Sequence, residues 1–87
     1  MKLYLLTQYQ NTGYDTYDSC VVCAENEDDA KNIDPSTGDG VFVDWSNKSQ
    51  KYSISWANTK DGIEVEEIGE AHPSQKRGVI CASFNAG

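Results

Sequence analysis

Residues 13–33, GYDTYDSCVVCAENEDDAKNI, decide the fold. They read as a polar, tyrosine-rich turn, then a strand, then a short helix. Gly13 and Asp15, with Asn11 just upstream, are residue types that accept tight or left-handed backbone conformations. Tyr17 to Ala24, YDSCVVCA, follows as a strand. Asn26 is a good N-cap, and Asp29 stands three residues later, as in a capping box. Glu27, Asp28 and Asp29 put negative charge in the first turn, where the helix dipole favours it, and Lys31 comes later. Ala30 and Ile33 are spaced to face a sheet. Asp34-Pro35 ends the helix, because the residue before proline avoids the helical region. The expected helix is two to three turns long.

Upstream, Lys2 to Tyr9 reads as a strand with apolar residues on both faces, as expected of a strand covered on both sides or covered by a second subunit. Its short separation from Tyr17–Ala24 makes an antiparallel hairpin the natural pairing. Downstream, Ile63 to Ile68 (IEVEEI) alternates at first, with Ile63 and Val65 on one side and Glu64 and Glu66 on the other. Glu67 then takes the inward position, which predicts a register break near Glu66-Glu67. Gly78 to Phe84 (GVICASF) is the last strand. Between these lie the loop PSTGDG (35–40) and two short runs, VFVDW (41–45) and YSISW (52–56). Those runs either pair as a small hairpin or stay irregular and bury Trp45 and Trp56.

The expected fold is therefore α+β: one small domain over residues 1–87, an antiparallel sheet of about four to six strands, and one short helix. A single short helix leaves the second face of the sheet bare, for the tryptophans or a second copy to cover.

A chain of 87 residues buries only roughly 60–65% of the surface its unfolded form exposes. Self-association would help so small a domain, and a large active-site cleft has little room. The formal charge is −7, from 14 acids against 7 bases. Lys2, Lys31, Lys48, Lys51 and Lys60 are scattered and only Lys76-Arg77 are adjacent, so no broad phosphate-binding face is expected. An acidic surface suits a basic surface on another protein, or serves solubility alone. The apolar runs Cys20–Ala24 and Gly78–Ala82 fall far short of the ~20 residues of a spanning helix. MKLYLLTQYQ lacks the apolar region and cleavage site of a signal peptide. The default expectation is a cytoplasmic protein with reduced thiols.

Several residue sets have the composition for chemistry. Cys20 and Cys23 form a C-x-x-C that could join Cys81 and His72 around zinc. In a strand, however, residues i and i+3 point to opposite faces, so small core residues are the better reading. A redox pair would need a helix N-terminus without an acidic first turn. His72 is the lone histidine, and Cys–His catalysis would need Cys23 or Cys81 to turn toward it. Asp28 and Asp29 are explained by capping, and Glu64, Glu66 and Glu67 by a solvated strand face. With no calcium-loop or phosphate-loop motif, the sequence points to no catalytic residues, no metal and no cofactor. Tyr14, Asp15, Tyr17 and Asp18 are more suggestive. Two amphipathic rings at a hairpin tip are the material of interface hot spots. The same tyrosines could stack on a base, with Lys76 and Arg77 for its phosphate.

With GYDTYDS and the ending GVICASFNAG both read, the chain resembles a group of small uncharacterised proteins of bacteriophages and prophages. Those begin with a KLYLLTQ-type strand, run through a small-residue strand into an acidic helix, and end in a GVI-ASFNAG-type segment. The likeness covers both ends, while residues 35–60 are particular to this chain. It implies a viral or prophage origin and expression in a bacterial host, and it carries over no activity. In size and charge such proteins resemble host-takeover and counter-defence factors such as anti-CRISPR proteins. The expected function is thus a non-enzymatic protein that inhibits or modulates a host protein in the bacterial cytoplasm. Glu64, Glu66, Glu67, Asp28 and Asp29 would occupy a basic host surface, with Tyr14 and Tyr17 as anchors. The alternative is an oligomer that sequesters a nucleotide-like ligand through Tyr14, Tyr17, Lys76 and Arg77.

Overall fold

A computed structural model describes residues 1–36, 55–57 and 59–85. Among the described residues four strands form one antiparallel sheet: β1 Lys2–Gln8, β2 Thr16–Ala24, β3 Ile63–Glu70 and β4 Gly78–Asn85. The spatial order is β3-β1-β2-β4. The expected β1–β2 hairpin is present, with Leu6 opposite Cys20 and Tyr4 opposite Val22. β3 adds to the outer side of β1, and β4 to the outer side of β2.

Alternation of side chains across the pleat sorts the strands into two faces. Tyr4, Leu6, Cys20, Val22, Ala24 and Ile63 turn toward helix α1 (Glu27–Lys31) and make the core with Ala30, Ile33, Trp56 and Ala57. The helix is only five residues long, against the two to three turns expected, because Asn32 already caps its C-terminus. Ile33 lies beyond it and is still fully buried. The N-cap is as the sequence implies: Asn26 Oδ1 accepts the Asp29 N–H at 2.8 Å, and Asp29 Oδ2 accepts the Glu25 N–H at 3.1 Å.

The register break in β3 falls at Ile68, one residue beyond the expected place. Tyr4 pairs with Glu67 and Leu3 with Gly69, so Ile68 is the extra residue and the strand runs on to Glu70. Glu67 does sit on the helix side, and there its carboxylate meets Lys2 Nζ at 3.3 Å. VFVDW and residues 52–54 lie outside the described residues. Of YSISW, Ser55 and Trp56 are described: they run as a bend, the Ser55 carbonyl accepts the Tyr17 N–H at 2.7 Å, and Trp56 is fully buried.

Because β3 and β4 are the outer strands of the described sheet, residues 71–77 must cross one end of it between them. That crossing is pinned at three points. The Ala71 N–H donates to Met1 O at 3.2 Å. The Cys23 thiol lies 4.0 Å from Gln75 O. Arg77 Nε donates to both carboxylate oxygens of Asp29 at 3.0 Å.

The opposite end is built on Gln8. Its fully buried amide donates to Asn11 O and Tyr17 O, both at 2.7 Å, and accepts the Gln10 and Asn11 N–H groups, both at 2.9 Å. Gln10 in turn holds Thr59, and it packs so close to Gly62 that a Cβ there would lie within 2.4 Å of its side chain. Asp15 takes the left-handed conformation, φ 61°, that its residue type tolerates.

Candidate functional site

Among the described residues, no helix packs on the face of the sheet away from α1, here called the open face. By the same alternation it carries Leu3, Leu5 and Thr7 from β1, Ser19 and Val21 from β2, Cys81 and Ser83 from β4, and Glu64 and Glu66 from β3. Leu3, Leu5 and Val21 are only partly buried. Leu5 is the focus, since it lines three adjoining depressions. The largest, about 460 Å³, also involves Thr7, Tyr9, Thr12, Asp18 and Ser19. A second, about 350 Å³, is bounded by Glu64 and Glu66. A third, about 200 Å³, runs along Val21, Cys81 and Ser83.

The charges on this face have one sign. Glu66 stands opposite Leu5 and Glu64 opposite Thr7, and Asp18 borders the largest depression. Among the described strand residues on this face, none is a lysine or arginine. Among the described residues, Lys2, Lys60 and Arg77 meet other acids, Glu67, Asp28 and Asp29, away from this face.

Asp28, Asp29 and Glu67 are therefore differently placed from Glu64 and Glu66. Asp28 Oδ1 lies 2.6 Å from Lys60 Nζ. Asp29 is held by Arg77 and mostly buried. Burial pushes its carboxyl upward, but the Arg77 hydrogen bond, the Glu25 N–H and the guanidinium charge outweigh it, leaving the carboxyl below the usual aspartate value. The hydrogen bond and charge of Glu67 raise the Lys2 ammonium above its usual value. These three acids support structure at sites where a cation already stands.

The two tyrosines also separate. Tyr14 is 78% exposed at the tip of the turn. Tyr17 packs against the core, its ring 4.8 Å from that of Phe84. The ligand set Tyr14, Tyr17, Lys76 and Arg77 is not brought together within one chain. Tyr17 pairs with Phe84 at one end of β2 and Cys23 with Gly78 at the other, so the two pairs stand about 20 Å apart along the strand. Arg77 is moreover committed to Asp29.

Cys20 faces the core opposite Leu6, and Cys23 the other face opposite Leu3, so the C-x-x-C diverges as its spacing dictates. Burial above all pushes the Cys20 thiol up to about 12, which keeps it protonated at neutral pH. His72 Nδ1 lies 2.7 Å from Ser74 Oγ and accepts the Ser74 N–H at 3.1 Å, a local turn at the start of the crossing. Among the described residues no three His, Cys, Asp or Glu side chains gather as a metal site, and no helix is long and apolar enough to cross a membrane.

Nothing in the sequence alone marks Leu3, Leu5 and Val21 as one apolar centre. The nearest signal is a first strand apolar on both faces beside a helix too short to cover more than one.

Fold and site together define a small antiparallel α+β domain with one covered sheet face and one open, acid-rimmed face. No family model matches the chain, and neither a curated protein nor a solved structure matches it.

Proposed function

We propose that this protein is a non-enzymatic binder of phage type, which inhibits or modulates a host protein in the bacterial cytoplasm by laying its open sheet face on a basic surface. The observation that carries the reading is the one-sided charge of that face: an apolar centre at Leu3, Leu5 and Val21, acids at Glu64, Glu66 and Asp18, and, among the described residues, no basic strand residue. An apolar centre with a polar rim is the general anatomy of a protein interface, and a rim of one sign selects and steers a partner of the other. Tyr14, exposed at one end of the sheet, adds an amphipathic anchor. Asp28, Asp29 and Glu67 take no part, since each already faces a cation.

Affinity capture from bacterial lysate tests this. Wild type, Leu5→Lys and the double variant Glu64→Lys/Glu66→Lys are compared, with Asp28→Asn as control. A partner retained by wild type and Asp28→Asn, lost by the open-face variants, and released as ionic strength rises is the expected result. Capture indifferent to salt, or unaffected by the open-face substitutions, removes the proposal.

A further inference from the structure

The two edges of the sheet are guarded differently. β3 carries Glu64, Glu66, Glu67 and Glu70. Charges of one sign along an edge repel a second strand, the usual protection of an exposed edge. β4 is eight residues long, GVICASFN, with no charged side chain. Among the described residues it pairs only with β2. Ile80 and Phe84 on it are 43% and 47% exposed. A long, uncharged edge strand is a template for another strand.

We propose that the occupant is a second copy of this chain, with the two β4 strands antiparallel about a two-fold axis perpendicular to the sheet, giving one continuous eight-stranded sheet. Three observations favour a second copy over a foreign strand. First, each chain carries −7, so association is tolerated only where the contact is neutral, and β4 is the neutral edge. Second, such a contact is isologous and closes on itself without leaving a further edge of the same kind. Third, the flanks of β4 have opposite charge. Lys76 and Arg77 precede Gly78. The other end is tied to the acidic turn, because the Asp15 N–H donates to Asn85 O at 2.6 Å and Asn85 Nδ2 to Gly13 O at 3.2 Å. Antiparallel pairing brings Lys76 of each copy to the Asp15–Asp18 turn of the other, across about two strand spacings, ~10 Å. That is close to one Debye length at physiological salt. Parallel pairing would set lysine against lysine.

The register follows from the exposed apolar residues. Ala82, opposite core-facing Cys20, and Phe84, opposite Tyr17, lie on the core side; Ile80 is the extra residue of an irregularity in β4, since Val21 pairs with Cys81 and Val22 with Val79, and it stays exposed. A two-fold through Ala82 sets Ile80 of one copy against Phe84 of the other, twice. Such aromatic–aliphatic cross-strand pairs are stabilising. On the other face Cys81 then meets Ser83 of the second copy. The contact borders the open face only through Cys81 and Ser83 and leaves Leu3, Glu64 and Glu66 outside it, so different substitutions test the two proposals. It also carries Lys76 toward Tyr14 of the other copy, residues that one chain holds apart.

Light scattering on the whole chain, over micromolar to millimolar concentration, tests it. The expected mass is twice the 9.6 kDa of one chain. Ile80→Lys and Ala82→Lys, at exposed positions, should restore the single-chain mass with circular dichroism unchanged, while Ile68→Lys on the other edge leaves the dimer intact. Under oxidising conditions Ser83→Cys should cross-link to Cys81 of the second copy, and wild type should not. A single-chain mass throughout overturns the proposal. So does a dimer indifferent to Ile80→Lys and Ala82→Lys, one broken by Ile68→Lys, or a lack of cross-linking in Ser83→Cys.

Discussion

Replacing Gln8 by leucine should cost about 2–4 kcal/mol, since one buried amide closes the turn that joins the two central strands. Four hydrogen bonds of 2.7–2.9 Å are lost at once, each with a net contribution of about 1 kcal/mol. The exposed Gln10 end can turn to water, which recovers part of the loss. Tyr17 is less exposed than Gln10 and belongs to β2, so its carbonyl is harder to rehydrate while that strand stays paired. Leucine adds apolar burial of about 1 kcal/mol in return, so the net destabilisation is about 3 kcal/mol, or roughly 12–24 °C in Tm for a domain of this size. Gln8→Glu separates the donated from the accepted bonds. At neutral pH its carboxylate still accepts from Gln10 and Asn11 but faces two carbonyl oxygens with no proton to give. Burial and those carbonyls raise its pKa above the unfolded value. The variant should therefore be least stable at neutral and alkaline pH and recover as pH falls. Thermal and urea unfolding by circular dichroism, at pH 4.5 and 7.5, measures both effects. A Gln8→Leu shift under about 4 °C, or a Gln8→Glu deficit independent of pH, would refute the view that this amide holds the turn.

The two leucines that are neighbours in β1 should respond differently. Leu6→Ala, at a fully buried position, should cost about 2–5 kcal/mol, whereas Leu5→Ala on the open face should cost under about 1 kcal/mol, as chemical denaturation will show. Asp29 has a folded-state carboxyl pKa below its unfolded one. Its stabilisation is present above the unfolded value and is lost as pH falls through the folded value. Asp29→Asn should lower stability at pH 7 by about 1–2 kcal/mol and flatten the decline below pH 4, both read from melts across pH. Native alkylation followed by mass spectrometry should label exposed Cys81 first, with Cys20 and Cys23 protected until unfolding.

What could be read from sequence was local. Alternation located all four described strands, the Asn26–Asp29 pair located the helix start, and a misplaced glutamate signalled the irregularity in β3. The order of strands in space is written in no local pattern, so nothing in IEVEEI or GVICASF says which joins β1 and which β2. For the same reason Asp28 and Asp29 looked like surface charge. Their partners, Lys60 and Arg77, lie far along the chain. Gln8 falls near the end of the strand read over Lys2 to Tyr9, and only the returning turn makes its amide a buried hub. Tyr17 looked like half of an exposed pair because Phe84, its packing partner, is contributed by the last strand.

The crossing of residues 71–77 between the two edges has a consequence for how the molecule assembles. The β1–β2 hairpin closes a short loop, Thr7 to Ser19, whereas β3 and β4 pair residues nearly the whole chain apart, Lys2 with Glu70 and Thr16 with Asn85. Loop-closure entropy favours the hairpin and its helix first, with both outer strands docking afterwards. Pulsed hydrogen exchange that protected β3 before the hairpin would reverse this order. Until those strands dock, the hairpin presents two bare edges and none of the β3 glutamates, so the nascent chain passes through its stickiest form before it acquires its charged border.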